Sequence, residues 1–282
     1  MYELVSLEPV DYLVFGHVTH DLTPAGPRLG GTVAYSALTA QALGLKVGII
    51  TAVGPDTDMA PLQDIPVVSI PSQQSTTFEN IYDEKGRRQI LHHRADLLPF
   101  DSVPEVWRHA TIMHLGPVAQ EVEAVIPETL SPSLLGMTPQ GWMRSWDDSG
   151  QVSPVCWQSA AQALKHAGAV VLSIEDVAGD EERIEYFAQH TRLLAVTEGA
   201  AGARLYWNGD QRRFLAPEMN EVDGTGAGDV FAATFFSRLL ITRDPWEAAR
   251  FATQLSAYSV SRIGLSGIPT SKEIKECLVE VF

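Results

Sequence analysis

Gly224, Gly226 and Gly228 alternate with Thr225 and Ala227 in the stretch NEVDGTGAGDVFAATFF (220–236), and the carboxylate of Asp229 follows at once, at the head of an apolar run. A glycine-rich turn entering a helix aims free backbone N–H groups and the positive end of the helix dipole at one point, which makes an anion site. A carboxylate there repels the anion. Asp229 is therefore either a helix cap or a base beside a transferring phosphoryl group, whose charge the amides of Gly226, Ala227 and Gly228 would meet while Asp229 takes the proton of an attacking hydroxyl. A dinucleotide fingerprint would place its glycines after the first buried strand, whereas these come late and follow the polar PEMNEVD. A Walker loop needs a lysine, and none lies between Lys165 and Lys272.

Such a turn needs a scaffold, and apolar β-branched runs alternating with helical spacing supply one. YLVFG (12–16), KVGIITAVG (46–54), ATIMHLG (110–116), GAVVLSI (168–174), RLLAVTEG (192–199) and ARLYW (203–207) read as strands, and VAYSALTAQALG (33–44) reads as a helix closed by Gly44. This rhythm predicts an α/β fold with a mostly parallel sheet covered on both faces. STTFENIYDEKGRRQILHHRA (75–95) breaks it, with alternating polar and apolar residues around Asp83-Glu84-Lys85-Gly86, and predicts a β-hairpin outside the main sheet. Asp244, Pro245 and Glu247 predict a helix start running towards Gly264.

Of 282 residues, 45% are hydrophobic, and a net charge of −15 with no Lys/Arg cluster larger than a pair makes nucleic acid and anionic membranes poor partners. The acidic start, MYELVSLEPVDYLVFG, is unlike a basic signal peptide and no run is long enough to span a membrane, so a cytoplasmic location is expected. Cys156 and Cys277 have no metal or redox spacing and read as free thiols. His17 and His20 lack a third ligand cluster, and His92 and His93 would face opposite sides of a strand. Trp142 and Trp146, four apart, fit one helix face in the core or the wall of a pocket.

DGTGAGDVF resembles the C-terminal signature of the ribokinase-like (PfkB) carbohydrate kinases, departing from it at Gly224, where Thr is usual. LGGTVAYSALTAQALGLKVGIITAVGPD (29–56) is similar to their N-terminal signature, and TPQGWMRSW (138–146) is similar to the inositol-kinase-like branch. The resemblance implies a ribokinase-like three-layer sandwich, one kinase domain over 1–282 with 75–95 as a lid-like insertion, existing as monomer or homodimer. It implies Asp229 as base, Gly226, Ala227 and Gly228 as anion hole, and Asp21, Gly30, Gly31 and Tyr35 on the acceptor side, Tyr35 standing where the family often has Asn. Thr197, Gly199, Gly202 and Thr225 would lie beside ATP. Asp176, in SIED where the family has Asn-x-x-Glu, would hold Mg²⁺ through water, and the 223–225 loop leaves room for a monovalent cation. The implied activity is ATP-dependent phosphorylation of a small unphosphorylated polyol (sugar, cyclitol or nucleoside), the alternative being a ligand-binding or regulatory protein on the same fold.

Overall fold

The structure, a computed structural model, describes residues 7–24, 26–55, 57–83 and 86–278. Asp56, the turn residues Glu84 and Lys85, and the first part of the acidic start lie outside the described residues. Fifteen strands and six α-helices follow in chain order: β1 Tyr12–Phe15, β2 Thr19–Thr23, β3 Gly26–Gly30, α1 Gly31–Ala42, β4 Val47–Val53, β5 Val67–Pro71, β6 Thr76–Asp83, β7 Gly86–His93, β8 Ile112–Leu115, β9 Leu134–Met137, β10 Arg144–Trp146, β11 Val152–Pro154, α2 Ala160–Leu164, β12 Ala169–Ser173, α3 Glu181–His190, β13 Leu193–Thr197, β14 Ala203–Trp207, β15 Asp210–Phe214, α4 Ala227–Thr242, α5 Pro245–Ser259 and α6 Ser271–Cys277.

Nine strands form the central sheet in the order β15-β14-β13-β12-β9-β8-β1-β4-β5. Every pairing from β13 to β5 is parallel, and β14 and β15 run antiparallel at one edge. Strands buried on both faces need apolar residues at every position, and β1 shows why: Tyr12 and Val14 join the core with α1, α4 and α5, while Leu13 and Phe15 join the opposite core with Trp107, Trp142 and Trp157. Three layers result, the ribokinase-like sandwich that the sequence predicts. Chain order reverses at β1, which lies between β4 and β8, and the crevice at the carboxyl ends of such strands is where ligands bind in open α/β sheets.

The segment outside the main sheet is larger than the predicted hairpin. β6 and β7 pair antiparallel as expected, but β2 pairs with β6 and β3 pairs with β2, giving a four-stranded sheet β3-β2-β6-β7. THDLT and GPRLG are short, polar and carry Gly and Pro, so they give no strand signal of their own. Two buried side chains fasten this lid to the core. His17, just beyond β1, hydrogen-bonds Thr76 Oγ1 through Nδ1 (2.7 Å) and donates from Nε2 to the carbonyl of Asp96 (2.9 Å), so one ring holds both stems of the β6–β7 hairpin. Glu121 accepts the backbone N–H groups of His17, Val118 and Ala119 (2.9, 3.0 and 2.7 Å), joining the ends of β1 and β8. These bonds are the structural use of His17; His20 is on β2, and His92 on β7 bonds Glu79 (2.8 Å).

TPQGWMRSW is not one helix. Pro139–Met143 forms a short 3₁₀ turn and Arg144–Trp146 a strand, so Trp142 stacks on Trp157 (centroids 4.9 Å apart) whereas Trp146 packs with the lid core of Phe78 and Leu91. Asp244 caps α5 as predicted, accepting from the N–H groups of Trp246 and Glu247. No helix among the described residues is long and apolar enough to cross a membrane. Both cysteines are free, Cys156 exposed and Cys277 buried.

Candidate active site

The glycine-rich turn enters α4 through Gly226, whose φ of +81° is left-handed and suits a residue without Cβ. Asp223 builds the turn. Its Oδ1 accepts the Thr225 N–H (3.0 Å) and its Oδ2 accepts the Gly264 N–H (2.9 Å). Burial opposes ionisation of Asp223, but hydrogen bonds from Thr225 and Gly264 and the charge of Arg28 outweigh it and hold the carboxyl below the usual range. Ala227, Gly228 and Asp229 form the first turn of α4, where N–H groups have no intrahelical partner, and that of Ala227 donates to the Gly224 carbonyl just before the helix (3.3 Å). Nothing lies within 4 Å of a Cβ built on Gly228, so that side of the turn is open.

Asp229 does not cap the helix. No side chain caps α4, and the Asp229 carboxylate instead takes a hydrogen bond from the hydroxyl of Thr32, in the first turn of α1. Burial pushes its pKa up to about 7, the Thr32 bond and Arg144 pull against this, and the negative charges of Asp176 and Asp21 add to the rise. A carboxyl whose proton affinity burial raises towards neutrality, at a helix N-terminus beside an open glycine turn, can serve as a general base.

Asp21, on β2, is near enough to Asp229 for its charge to raise the proton affinity there. Its Oδ1 accepts from Thr19 Oγ1 (3.1 Å), and its Oδ2 lies 2.2 Å from where a Cβ on Gly30 would stand. Gly30 is thus needed for the approach of the Asp21 carboxylate itself. Gly31 opens α1. Tyr35 is 3% exposed, and its ring lies beneath Gly226, 2.3 Å from the place of a Cβ there, with the hydroxyl 3.9 Å from the place of a Cβ on Gly264. Its phenol also feels the charges of Asp21, Asp223 and Asp229, so the side chain stands between the glycine-rich turn and the Asp21 side of the site.

Asp176 lies close enough to Asp229 to raise its proton affinity, but it is already engaged: Oδ2 accepts the Ser173 N–H (2.8 Å) in a reciprocal capping box and Oδ1 accepts from Gln140 (3.4 Å). Burial raises its own pKa, opposed by Arg144 and these hydrogen bonds. Thr197 ends β13, its hydroxyl 3.5 Å from the Leu172 carbonyl, and Gly199 and Gly202 shape the turn into β14. Asp21, Tyr35, Asp176, Asp223 and Asp229 thus share one electrostatic neighbourhood, and the structure adds Thr32, Arg144 and Asp223 to the residues found by sequence reasoning. Asp223 had a signal, since Asp-Gly-Thr is the pattern of an Asx turn. Thr32 and Arg144 had none.

Comparison with known proteins agrees with the fold. Residues 159–272 match the model of the pfkB family carbohydrate kinases. The chain is 28% identical over 290 residues to inositol 3-kinase of Oryza sativa subsp. japonica, covering 93% of this chain and 71% of that protein. Among solved structures it is similar to a pyrophosphate-dependent kinase of the ribokinase family complexed with a pyrophosphate analog and myo-inositol (TM-score 0.78, 21% identity, 95% of this chain and 100% of that one). It is also similar to an Escherichia coli protein described as a putative ribokinase II in complex with ATP and Mg²⁺ (TM-score 0.70, 18% identity, 96% and 99%). Residues 159–272 thus carry the match to the pfkB carbohydrate kinases, and the likeness to inositol 3-kinase extends over 93% of the chain.

Proposed function

We propose that this chain transfers the γ-phosphate of ATP to a hydroxyl of a small unphosphorylated polyol, a cyclitol ahead of a sugar or nucleoside, with Asp229 as base. The observation that carries this reading is the pairing of Asp229, its proton affinity raised towards neutrality, with the open space beside Gly228 in the turn it follows. As the acceptor oxygen attacks the γ-phosphorus, its proton passes to Asp229, the bond to the β-phosphate oxygen breaks, and the amides of Gly226, Ala227 and Gly228 meet the charge on the phosphoryl oxygens. Asp21 offers oxygens to acceptor hydroxyls, and the lid sheet keeps water from competing with the alcohol.

Mg²⁺ would shield the donor phosphates. The residues fit it: the charge of Asp176 raises the cost of ionising Asp229, a repulsion that a divalent cation relieves, and the second lone pairs of the Asp176 oxygens suit a metal-bound water. The likeness to inositol 3-kinase favours a cyclitol. For the donor, Val222 and Ile263 are 53% and 50% exposed on either side of the Asp223–Gly264 contact, an apolar surface suited to a nucleobase. Pyrophosphate is the second reading, favoured by the donor of the similar kinase named above.

The test crosses ATP and pyrophosphate, with Mg²⁺ and K⁺, against myo-inositol, ribose, fructose, cytidine and their monophosphates, reading phosphomonoester by ³¹P NMR. The expected result is product with ATP and the highest kcat/KM on an unphosphorylated polyol. Preference for a sugar phosphate, or product with pyrophosphate alone, overturns the corresponding half.

A further inference from the structure

One face of α1 carries the phosphate turn. Thr32, Tyr35 and Ser36 stand at i, i+3 and i+4 and so share a side of the helix. Thr32 donates to the Asp229 carboxylate, Ser36 Oγ donates to the Asp229 carbonyl (3.4 Å), and the Tyr35 ring lies under Gly226. Three contacts from one helix therefore meet the first turn of the other. The ring is the largest of them: a Cβ on Gly226 would come within 2.3 Å of Cδ1 and Cε1 and 2.6 Å of Cγ. The Tyr35 hydroxyl lies 3.9 Å from where a Cβ on Gly264 would stand, so the side chain spans the two segments that Asp223 ties together.

We propose that Tyr35 is a positioning residue for the donor phosphate: its ring is the floor on which the left-handed turn at Gly226 rests, fixing where the amides of Ala227 and Gly228 point. This rests on the reading of that turn as the donor phosphate site. Rings are stiff, with two side-chain torsions, so a buried phenol defines the height of the turn better than a flexible side chain of similar volume. Burial together with the charges of Asp21, Asp223 and Asp229 keeps the phenol protonated, so no negative charge is added beneath the phosphate. Tyr35 acts on the donor.

The test compares Tyr35→Phe, Tyr35→Leu, Tyr35→Ala and Gly226→Ala, singly and as a Tyr35→Ala/Gly226→Ala pair. Mg·ATP binding is measured by calorimetry without acceptor, KM for each substrate by steady-state assay, and Tm by calorimetric scan. Tyr35→Phe keeps the floor and should stay within about twofold of wild type in every constant. Tyr35→Leu should raise the Kd and KM for ATP about tenfold and leave acceptor KM within twofold. Gly226→Ala should lower Tm and weaken ATP at least tenfold more in the wild-type background than in Tyr35→Ala, where the ring is gone. A folded Tyr35→Leu protein with unchanged ATP constants, an acceptor KM that moves instead, or equal Gly226→Ala effects in both backgrounds would each overturn the proposal. If Tyr35→Ala does not fold, Tyr35→Leu and Tyr35→Phe decide it alone. Wild type that binds neither Mg·ATP nor pyrophosphate overturns the donor reading itself, and that failure is seen before any variant is compared.

Discussion

Replacing Asp229 with Asn should stop turnover and, at the same time, stabilise the fold above neutral pH. Asn keeps the size of the side chain and an oxygen to accept from Thr32, but it carries no charge and takes no proton. The pKa of Asp229 rises from 3.8 to about 7, led by burial. Each unit is worth about 1.4 kcal/mol, which gives an upper limit of about 4 kcal/mol for the cost of ionising it in the folded state. The residue is half-buried, so solvent screens part of this, and about 2 kcal/mol is the better expectation. The sign follows from proton binding. Between the unfolded and folded values the native state holds more protons than the unfolded chain, so wild-type stability falls as pH rises through that window, and the full cost is present by pH 8. Asp229→Asn should therefore raise Tm by roughly 4–8 °C at pH 8, with the gain fading towards pH 4, while kcat falls by about 10²–10⁴. Differential scanning calorimetry at both pH values, beside steady-state assay, checks it. A variant with unchanged Tm at pH 8, or a gain that persists undiminished at pH 4, would refute the argument that burial of this charge sets its proton affinity.

The other expectations follow from single contacts. Gly228→Val meets open space, so the protein should fold with Tm within about 2 °C of wild type, yet bind ATP at least tenfold more weakly by calorimetry, since the new side chain occupies the phosphate side. Asp21→Ala should raise acceptor KM about tenfold or more and leave the ATP Kd alone, measured by the same assay with each substrate varied. Asp223→Ala removes the acceptor of two backbone N–H groups and should weaken ATP binding and lower stability together, by about 1–3 kcal/mol in urea unfolding.

How much of this was legible in the sequence depends on the range of the contacts. β1, β4, β8, β12 and β13 of the parallel sheet, the antiparallel β14, the 75–95 hairpin, the Asp244 cap and the turn into α4 are written in neighbouring residues, through periodicity, Gly and capping chemistry, and the structure has them at those positions, whereas β5 and β9 were not read as strands. β2 and β3 were not legible, because they are held by pairing with β6 rather than by their own composition. At the site, Asp229 and the glycines announce themselves locally. What decides the Asp229 proton affinity does not: Thr32, Asp176, Arg144 and Asp21 reach it from four other segments. The same holds for Tyr35, whose place in α1 follows the pattern of the acceptor motif while its ring ends beneath a turn 191 residues further on. Glu121 looks like a surface acid and is instead the buried acceptor for three amides.

The central claim is that Asp229 is the base of the phosphoryl transfer, and the pH dependence of kcat/KM tests it most directly. With Mg·ATP and the preferred polyol both well below KM, so that the free enzyme's groups are read, the wild-type enzyme should gain activity with rising pH along a limb whose apparent pKa is near 7, the value set for Asp229 by its surroundings. Asp229→Asn should run at least about a hundredfold lower with no such limb. The same limb in both proteins, or turnover of the variant near that of wild type, would contradict it.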